Sequence, residues 1–313
     1  MKPNKVHEYP MTRRTFLAGT VAAAAAVSAA DAQPGKGEKP SRRPICVFSK
    51  HLQWLDYGPM AETAAEIGFD SVDIPVRPGG HVLPERVEDD LPSAVEAVRK
   101  AGLTVPLMTT AITGPDTPHA EKVLATAAGL GVGYYRLGYL SYDESLGIAG
   151  SLDAYRPQMR ELAAMNRQYS IHGDYQNHAG NNVGAPVWDL WYLIRDLDPQ
   201  WIGCQYDIRH ATVEGGNSWV LGLELIAGFV KTTVVKDFKW GLADGAWQVI
   251  DTPVGEGMVD FKAYYKLIKK LNISGPISMH FEYPHEQKRE TVIPLMRKDL
   301  AALRSYLKEA GLM

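Results

Sequence analysis

Gly203-Cys204-Gln205-Tyr206-Asp207-Ile208-Arg209-His210 is a short apolar run that breaks off into Asp-x-x-His. Residues 201–206 read as a buried strand, and the polar cluster begins where that strand must stop. In an α/β sheet or barrel such a position is the carboxyl edge, where ligands sit. A carboxylate and an imidazole three residues apart suit a divalent cation or a proton relay. The plainer reading is an N-cap aspartate followed by a surface histidine. At least three other strand ends carry clusters of the same kind, which weighs toward chemistry.

Outward from this stretch, apolar strands alternate with amphipathic helices. Strands are expected at 45–49, 71–76, 104–109, 134–137, 170–175, 201–206, 232–236 and 277–281. Helices are expected at 59–67, 87–101, 120–130, 151–168, 187–197, 217–229, 260–271 and 293–310, several of them stopped by glycine. Eight strand–helix units in series predict an α/β fold, a single (β/α)8 TIM barrel over residues 45–313. A doubly wound open sheet is the alternative. No Gly-x-Gly-x-x-Gly follows the first strand, which argues against dinucleotide binding.

The first 32 residues stand apart from this pattern. Thr12-Arg13-Arg14-Thr15-Phe16-Leu17 is a twin-arginine signature, an Ala-rich run follows, and Ala30-Asp31-Ala32 offers a cleavage site. A cleavable signal peptide over 1–32 and a flexible spacer over 33–44 are therefore expected, with a periplasmic or secreted destination. The run is too short and too poor in Leu and Ile for a stable membrane anchor. Net charge is −3 for the full chain and −5 without residues 1–32, which carry four basic and two acidic groups. A mildly acidic exported domain argues against nucleic acid as a partner. Cys46 and Cys204 fall in separate expected strands and read as free core thiols.

A barrel requires its active residues at the carboxyl ends of the strands. There the sequence places His51, the loop Arg77-Pro78-Gly79-Gly80-His81, Arg136, and then His172, Asp174 and Gln176 followed by His178. Strand six ends in Asp207, Arg209 and His210, strand seven in Lys236, and strand eight in His280 and Glu282. A period of two puts His172, Asp174 and Gln176 on one face, and likewise Ser278, His280 and Glu282. Charged groups are costly against packed helices, so that face is expected to be the lumen. The glycines of the Arg77–His81 loop would let backbone amides approach a ligand, or simply make a turn. Lys236 could act as an electrophile or as a base. Trp240 borders, and Trp247 lies in, a long Gly-rich stretch, 241–257, that could form a lid over a sugar.

Together these residues resemble the xylose-isomerase-like barrel superfamily of sugar isomerases, epimerases and dehydratases. The resemblance is carried by Gln176-Asn177-His178, Asp207-x-x-His210, Val234-Val235-Lys236-Asp237 and His280-Phe281-Glu282. It implies a divalent metal (Mn²⁺, Mg²⁺ or Zn²⁺) bound by Glu, Asp, His and Glu from strands five to eight. This chain departs from that pattern, with Gln176 for the first Glu and Val234 for the His. Two readings stay open: a rearranged centre with Asp207, His280 and Glu282 as core ligands, completed by Gln176 or His210, or a site that has lost its metal.

The expected activity is an isomerase or epimerase that abstracts a proton next to the carbonyl of a carbohydrate. Glu282, His280, Lys236 and His51 are the candidate catalytic residues. Arg77, His81, Arg136, His172, Asp174, His178, Arg209 and Trp240 are the candidate substrate contacts. Alternatives are a lyase or hydratase on a 3-keto-glycoside and a non-catalytic sugar-binding barrel. A homo-oligomer is left open.

Overall fold

The computed structural model describes residues 43–313; the expected signal peptide over 1–32 and residues 33–42 of the expected spacer lie outside the described residues. In chain order the elements are β1 (Ile45–Phe48), α1 (Tyr57–Ile67), β2 (Ser71–Val76), α2 (Val87–Lys100), β3 (Thr104–Thr110) and α3 (Ala120–Gly129). There follow β4 (Tyr134–Arg136), α4 (Gly147–Tyr169), β5 (His172–Gln176), α5 (Val187–Ile194), β6 (Ile202–Asp207), α6 (Ile208–Gly215) and α7 (Trp219–Ile226). The last are β7 (Val230–Val235), β8 (Asp237–Ala243), β9 (Ala246–Thr252), α8 (Phe261–Lys270), β10 (Ile277–Met279) and α9 (Arg289–Glu309).

Eight parallel strands close in the order β1-β10-β7-β6-β5-β4-β3-β2, as expected for a TIM barrel. Every residue of β1, β2, β5, β6 and β10 is buried, because one face packs on the helix layer and the other fills the lumen. Two hydrogen bonds identify the lumen face. Ser278 Oγ donates to Asp73 Oδ2 at 2.7 Å, from β10 to β2, and Thr232 Oγ1 donates to Asp174 Oδ2 at 2.6 Å, from β7 to β5. Each bond skips the strand between its partners, which only inward-pointing side chains can do. The period-two expectation for the Asp174 and Ser278 faces therefore holds.

Three departures have local causes. Where one helix is expected over 217–229, α6 starts directly after β6 and a 3-10 turn over Gly216–Ser218 separates it from α7. The expected lid loop is instead an antiparallel hairpin, β8 with β9 in continuous register from Asp237↔Thr252 to Ala243↔Ala246. Its turn residues Asp244 and Gly245 both have positive φ (52° and 78°), the Asp-Gly pair that a two-residue hairpin turn favours. Finally, Arg43, assigned to the spacer from sequence, is buried. Its Nε donates to the Gly275 carbonyl at 2.7 Å and its Nη2 to Thr233 Oγ1 at 2.8 Å.

Cys46 and Cys204 are buried and free. Among the described residues, no helix is long and apolar enough to cross a membrane.

Candidate active site

Asp207 closes β6 and caps α6, its Oδ1 accepting the His210 backbone N–H at 3.2 Å. The cap geometry and the chemical cluster are thus the same residue, and His210, far from being a surface group, is buried. Asn177 fixes the Asp207 backbone from both sides: its Oδ1 accepts the Asp207 N–H at 2.7 Å and its Nδ2 donates to the Asp207 carbonyl at 2.9 Å. That clamp leaves Oδ2 to the lumen. There it accepts from Gln176 Nε2 at 2.8 Å and lies 3.2 Å from Lys236 Nζ, just past β7.

Gln176 is oriented by its other end. Its Oε1 accepts from Arg136 Nη1 at 3.1 Å and from the Tyr139 hydroxyl at 2.5 Å. A guanidinium and a hydroxyl on the oxygen force the amide N–H₂ toward Asp207. The result is a chain of contacts, Arg136–Gln176–Asp207–Lys236, running across β4, β5, β6 and the end of β7.

Imidazoles flank Lys236 on both sides. On the β5–β6 side, His178 and His210 lie ring against ring, tilted by 40°, with centroids 3.9 Å apart. Arg209 Nη1 donates to His210 Nδ1 at 3.0 Å, so the ring proton is on Nε2, which lies 3.6 Å from Asp207 Oδ2 without a hydrogen bond. His178 donates from Nδ1 to the Ala179 carbonyl at 2.9 Å, leaving Nε2 with a free lone pair. On the β10 side, His280 lies against Phe48 at 4.6 Å between centroids, and its buried Nε2 has no partner among the described residues. His51 Nε2 accepts the Phe281 backbone N–H at 3.1 Å, so its ring is also neutral.

Burial is the first cause that pushes all four imidazoles below the ordinary histidine value. For His178, His210 and His280 the Lys236 charge comes next, and His51 is brought down to about 3. Glu282 is lowered too, but by charge rather than by burial. Burial alone would raise its carboxyl, but His51, Lys236 and Lys50 outweigh it and hold it down to about 2; Lys50 Nζ lies 3.1 Å from Oε2.

The expected metal centre does not fit this arrangement. Among the described residues no three His, Cys, Asp or Glu side chains converge as a cation site. Gln176 turns its amide N–H₂, not its carbonyl oxygen, toward Asp207, and Asp207 already faces the ammonium of Lys236. Glu282 is paired with Lys50 and stands 3.9 Å from His280 Nδ1. A divalent ion would have to displace Lys236 and reverse Gln176, whose reversal would set its N–H₂ against Arg136.

Other expected contacts are placed elsewhere. His81 is locked between Ser49 Oγ (2.9 Å, to Nδ1) and the Leu55 carbonyl (3.2 Å, to Nε2), so neither ring nitrogen is available to substrate. His172 donates from Nδ1 to the Gln200 carbonyl and from Nε2 to Asp174 Oδ1, each at 2.9 Å. It begins β5 and lines a cavity of about 740 Å³ at the opposite, amino-terminal end, with Tyr134, Trp201 and Lys231. Asp174, with both oxygens engaged, sits below the mouth as a lumen residue.

Arg209 bridges His210 and Asp251 of β9, its Nη2 donating to Asp251 Oδ1 at 2.5 Å, and so ties the hairpin to α6. Trp240 projects from that hairpin, 42% exposed, with its ring edge-on to Phe238 at 6.2 Å. The loop after β2 is a turn closed on itself. A Cβ at Gly80 would come within 2.5 Å of the Pro75 carbonyl oxygen, and the Gly80 N–H donates to the Arg77 carbonyl at 2.8 Å. Its glycines serve the turn, which in turn fixes Arg77. Tyr139, Asn177 and Asp73 join the site without having been singled out; Asn177 alone had a signal, inside the Gln-Asn-His motif.

Residues 61–306 match the family described as xylose isomerase-like TIM barrel. The chain belongs to that family. The resemblance seen in the four strand-end motifs is thereby confirmed for the family, though not for any substrate. No curated protein matches the chain in sequence. Among solved structures, 3-keto-D-glucoside 4-epimerase from E. coli superposes with a TM-score of 0.64 at 15% identity, over 84% of this chain and 100% of that one. A D-tagatose 3-epimerase-like protein gives a TM-score of 0.66 at 16% identity, over 86% and 98%. A family member from Mycobacterium smegmatis, solved in complex with magnesium, gives 0.61 at 16% identity, over 85% and 98%. At such identities the likeness establishes the fold.

Proposed function

We propose that this protein is an enzyme of the isomerase and epimerase class that moves a proton next to the carbonyl of a small carbohydrate, using Lys236 as its electrophile. Support for the class comes from the family and from neighbours named as sugar epimerases. The observation that carries the mechanism is Lys236 paired with Asp207 and flanked on both sides by neutral imidazoles. An ammonium has three N–H donors, and that of Lys236 is ion-paired with Asp207 Oδ2 at 3.2 Å. Its N–H groups can hydrogen-bond a substrate carbonyl oxygen and stabilise the negative charge that grows there as an enediolate forms.

The proton is taken by an imidazole rather than by Glu282. A carboxylate held to about 2 and paired with Lys50 is a weak base and serves better as an acceptor for substrate hydroxyls. His178, its Nε2 lone pair unengaged, is the leading base on one flank and takes the proton as an imidazolium. His280, the neutral imidazole on the other flank, must first bind a proton from solvent before it can deliver one. Removal from one face and return on the opposite face inverts the carbon, which is epimerisation. Return to the neighbouring carbon is isomerisation.

Deuterium wash-in from D₂O, followed by NMR on a panel of ketoses and 3-keto-glycosides, tests the reading. Exchange is expected, with a loss of about 10²–10³-fold in Lys236→Met, and it should survive dialysis against EDTA. Saturable sugar binding with no exchange would leave a binding barrel instead. Release of an aglycone would move the chemistry to a lyase. Activity lost to EDTA and restored by Mn²⁺ would overturn the metal-free mechanism.

A further inference from the structure

Two arginines at the mouth form no ion pair among the described residues, though both lie within the field of Asp73. Arg136, only 5% exposed, hydrogen-bonds through Nη1 to the neutral Gln176, stacks over Tyr139 at 5.1 Å, and leaves Nε buried with no partner among the described residues. Arg77 stacks over Phe48 at 5.6 Å and forms no ion pair or side-chain hydrogen bond among the described residues. Strand register relates the two. Thr109 of β3 is level with Arg136 of β4 on one side and with Pro75 of β2 on the other, so Arg77 stands one pleat nearer the mouth, on a stave separated from that of Arg136 by β3. The carboxylate beneath them, Asp73, is turned to Thr109 and Ser278 and takes no hydrogen bond from either guanidinium.

We infer that Arg77 and Arg136 form a carboxylate-binding subsite, and that the substrate of the proposed reaction is a sugar acid, such as a uronate or keto-aldonate. Arg136 is a buried charge, which is normally paired, Arg77 beside it is half-buried, and two guanidinium forks suit a planar carboxylate. The charge count favours a monoanion. Lys50, Arg77, Arg136 and Lys236 face Asp73, Asp207 and Glu282, with the four imidazoles neutral, which leaves one positive charge over. The repulsion between the pair is visible on Arg77, which is pushed below its usual value first by burial and then by the Arg136 charge. Gln176 and Asp207 set the spacing: a carboxylate held at Arg136 is two linked side chains away from Lys236, where the carbonyl belongs. This placement of the carbonyl rests on the proposed function; the anion grip does not.

Calorimetric titration of the full chain with D-glucuronate, D-glucose and D-glucose 6-phosphate tests the grip. Glucuronate is expected to bind at least ~10-fold more tightly than glucose. Arg77→Gln and Arg136→Lys should each weaken glucuronate by ~10–100-fold, with glucose unchanged in Arg77→Gln. Unaltered thermal unfolding of Arg77→Gln, whose side chain bonds to nothing else, excludes a folding artefact. Equal affinity for acid and neutral sugar, or equal loss of both in Arg77→Gln, would overturn the inference. Tighter binding of the phosphate would reassign the subsite to phosphosugars and overturn it too. Glucuronate bound with this pattern but without deuterium exchange on keto acids would keep the subsite and sink the catalytic reading. Exchange on neutral ketoses with no preference for keto acids would do the reverse.

Discussion

Gln176 decides what the mouth of the barrel can hold. Its oxygen is claimed by Arg136 and Tyr139, so it offers Asp207 a donor where a glutamate would offer a second carboxylate. Gln176→Glu would place two carboxylates in hydrogen-bonding contact, an arrangement relieved by a shared proton or by a cation. The wild-type chain is expected to give no Mn²⁺ binding isotherm at micromolar concentration, and Gln176→Glu to acquire one. Tight Mn²⁺ binding by the wild type would refute the metal-free reading of the site. Sequence alone displayed ligand types at the right strand ends. It could not reveal that Lys236, treated there as a separate candidate, supplies the cation for Asp207.

The same imidazoles make the fold acid-sensitive. His51, His81, His178, His210 and His280 are all pushed below the ordinary value of 6.5 when folded, His51 to about 3, with burial the first cause in each. A depressed folded value means the unfolded chain binds the proton first. The stabilisation is therefore complete above about 6.5 and lost as the pH falls toward the folded value, at about 1.4 kcal/mol per unit for each fully shifted group. Asp73 and Asp299, raised by burial to about 6, oppose this, since their stability cost is relieved on acidification from about 6 toward 3.8. Asp237, raised by burial, and His172, which burial would lower but Asp174 raises, act in the same direction as these two carboxyls. Five groups against four still leave a net loss, because His51, His210 and His280 are shifted furthest. The melting temperature is expected to fall between pH 7 and pH 5, and a rise over that interval would show that the imidazoles are not neutral in the fold.

At the scale of elements, the hairpin is the part least legible beforehand, yet its signal was present. Asp244-Gly245 is flanked by residues able to pair as strands, but residues 241–257 read as one glycine-rich loop. The α6 helix was hidden for a related reason: Asp207 drew attention as chemistry, while its capping role went to the plainer alternative. Asp237, standing in the motif Val-Val-Lys-Asp, is the residue that anchors the hairpin. Its carboxylate accepts backbone N–H groups from Phe238 (2.8 Å), Gly255 (2.9 Å), Gly257 (3.0 Å) and Val259 (3.1 Å). Asp237→Ala would orphan all four donors, and a destabilisation of about 3 kcal/mol is expected from chemical denaturation. A loss below about 1 kcal/mol would mean that the hairpin base is held by packing alone.

At the scale of the whole molecule, the alternation of strands and helices was enough to predict the closed barrel, because parallel strands buried on both faces leave an apolar run that sequence displays openly. What sequence blurred is where the barrel begins. Arg43 reads as the end of a charged spacer, because the strand signal starts only at Ile45. Its guanidinium nevertheless ties the chain before β1 to Thr233 of β7 and to Gly275 just before β10. Stitching the chain to two staves of the barrel, it acts on closure rather than on one element. A chain starting at Gln33 is expected to melt at the same temperature as the full-length protein. Arg43→Ala in that shorter chain removes two buried hydrogen bonds from a charged donor, each worth about 1.5–3 kcal/mol, and should lower the melting temperature by roughly 5 °C or more. An unchanged melting temperature for Arg43→Ala would return residue 43 to the spacer, and a lowered one for the Gln33 start would mean that residues 1–32 contribute to the fold.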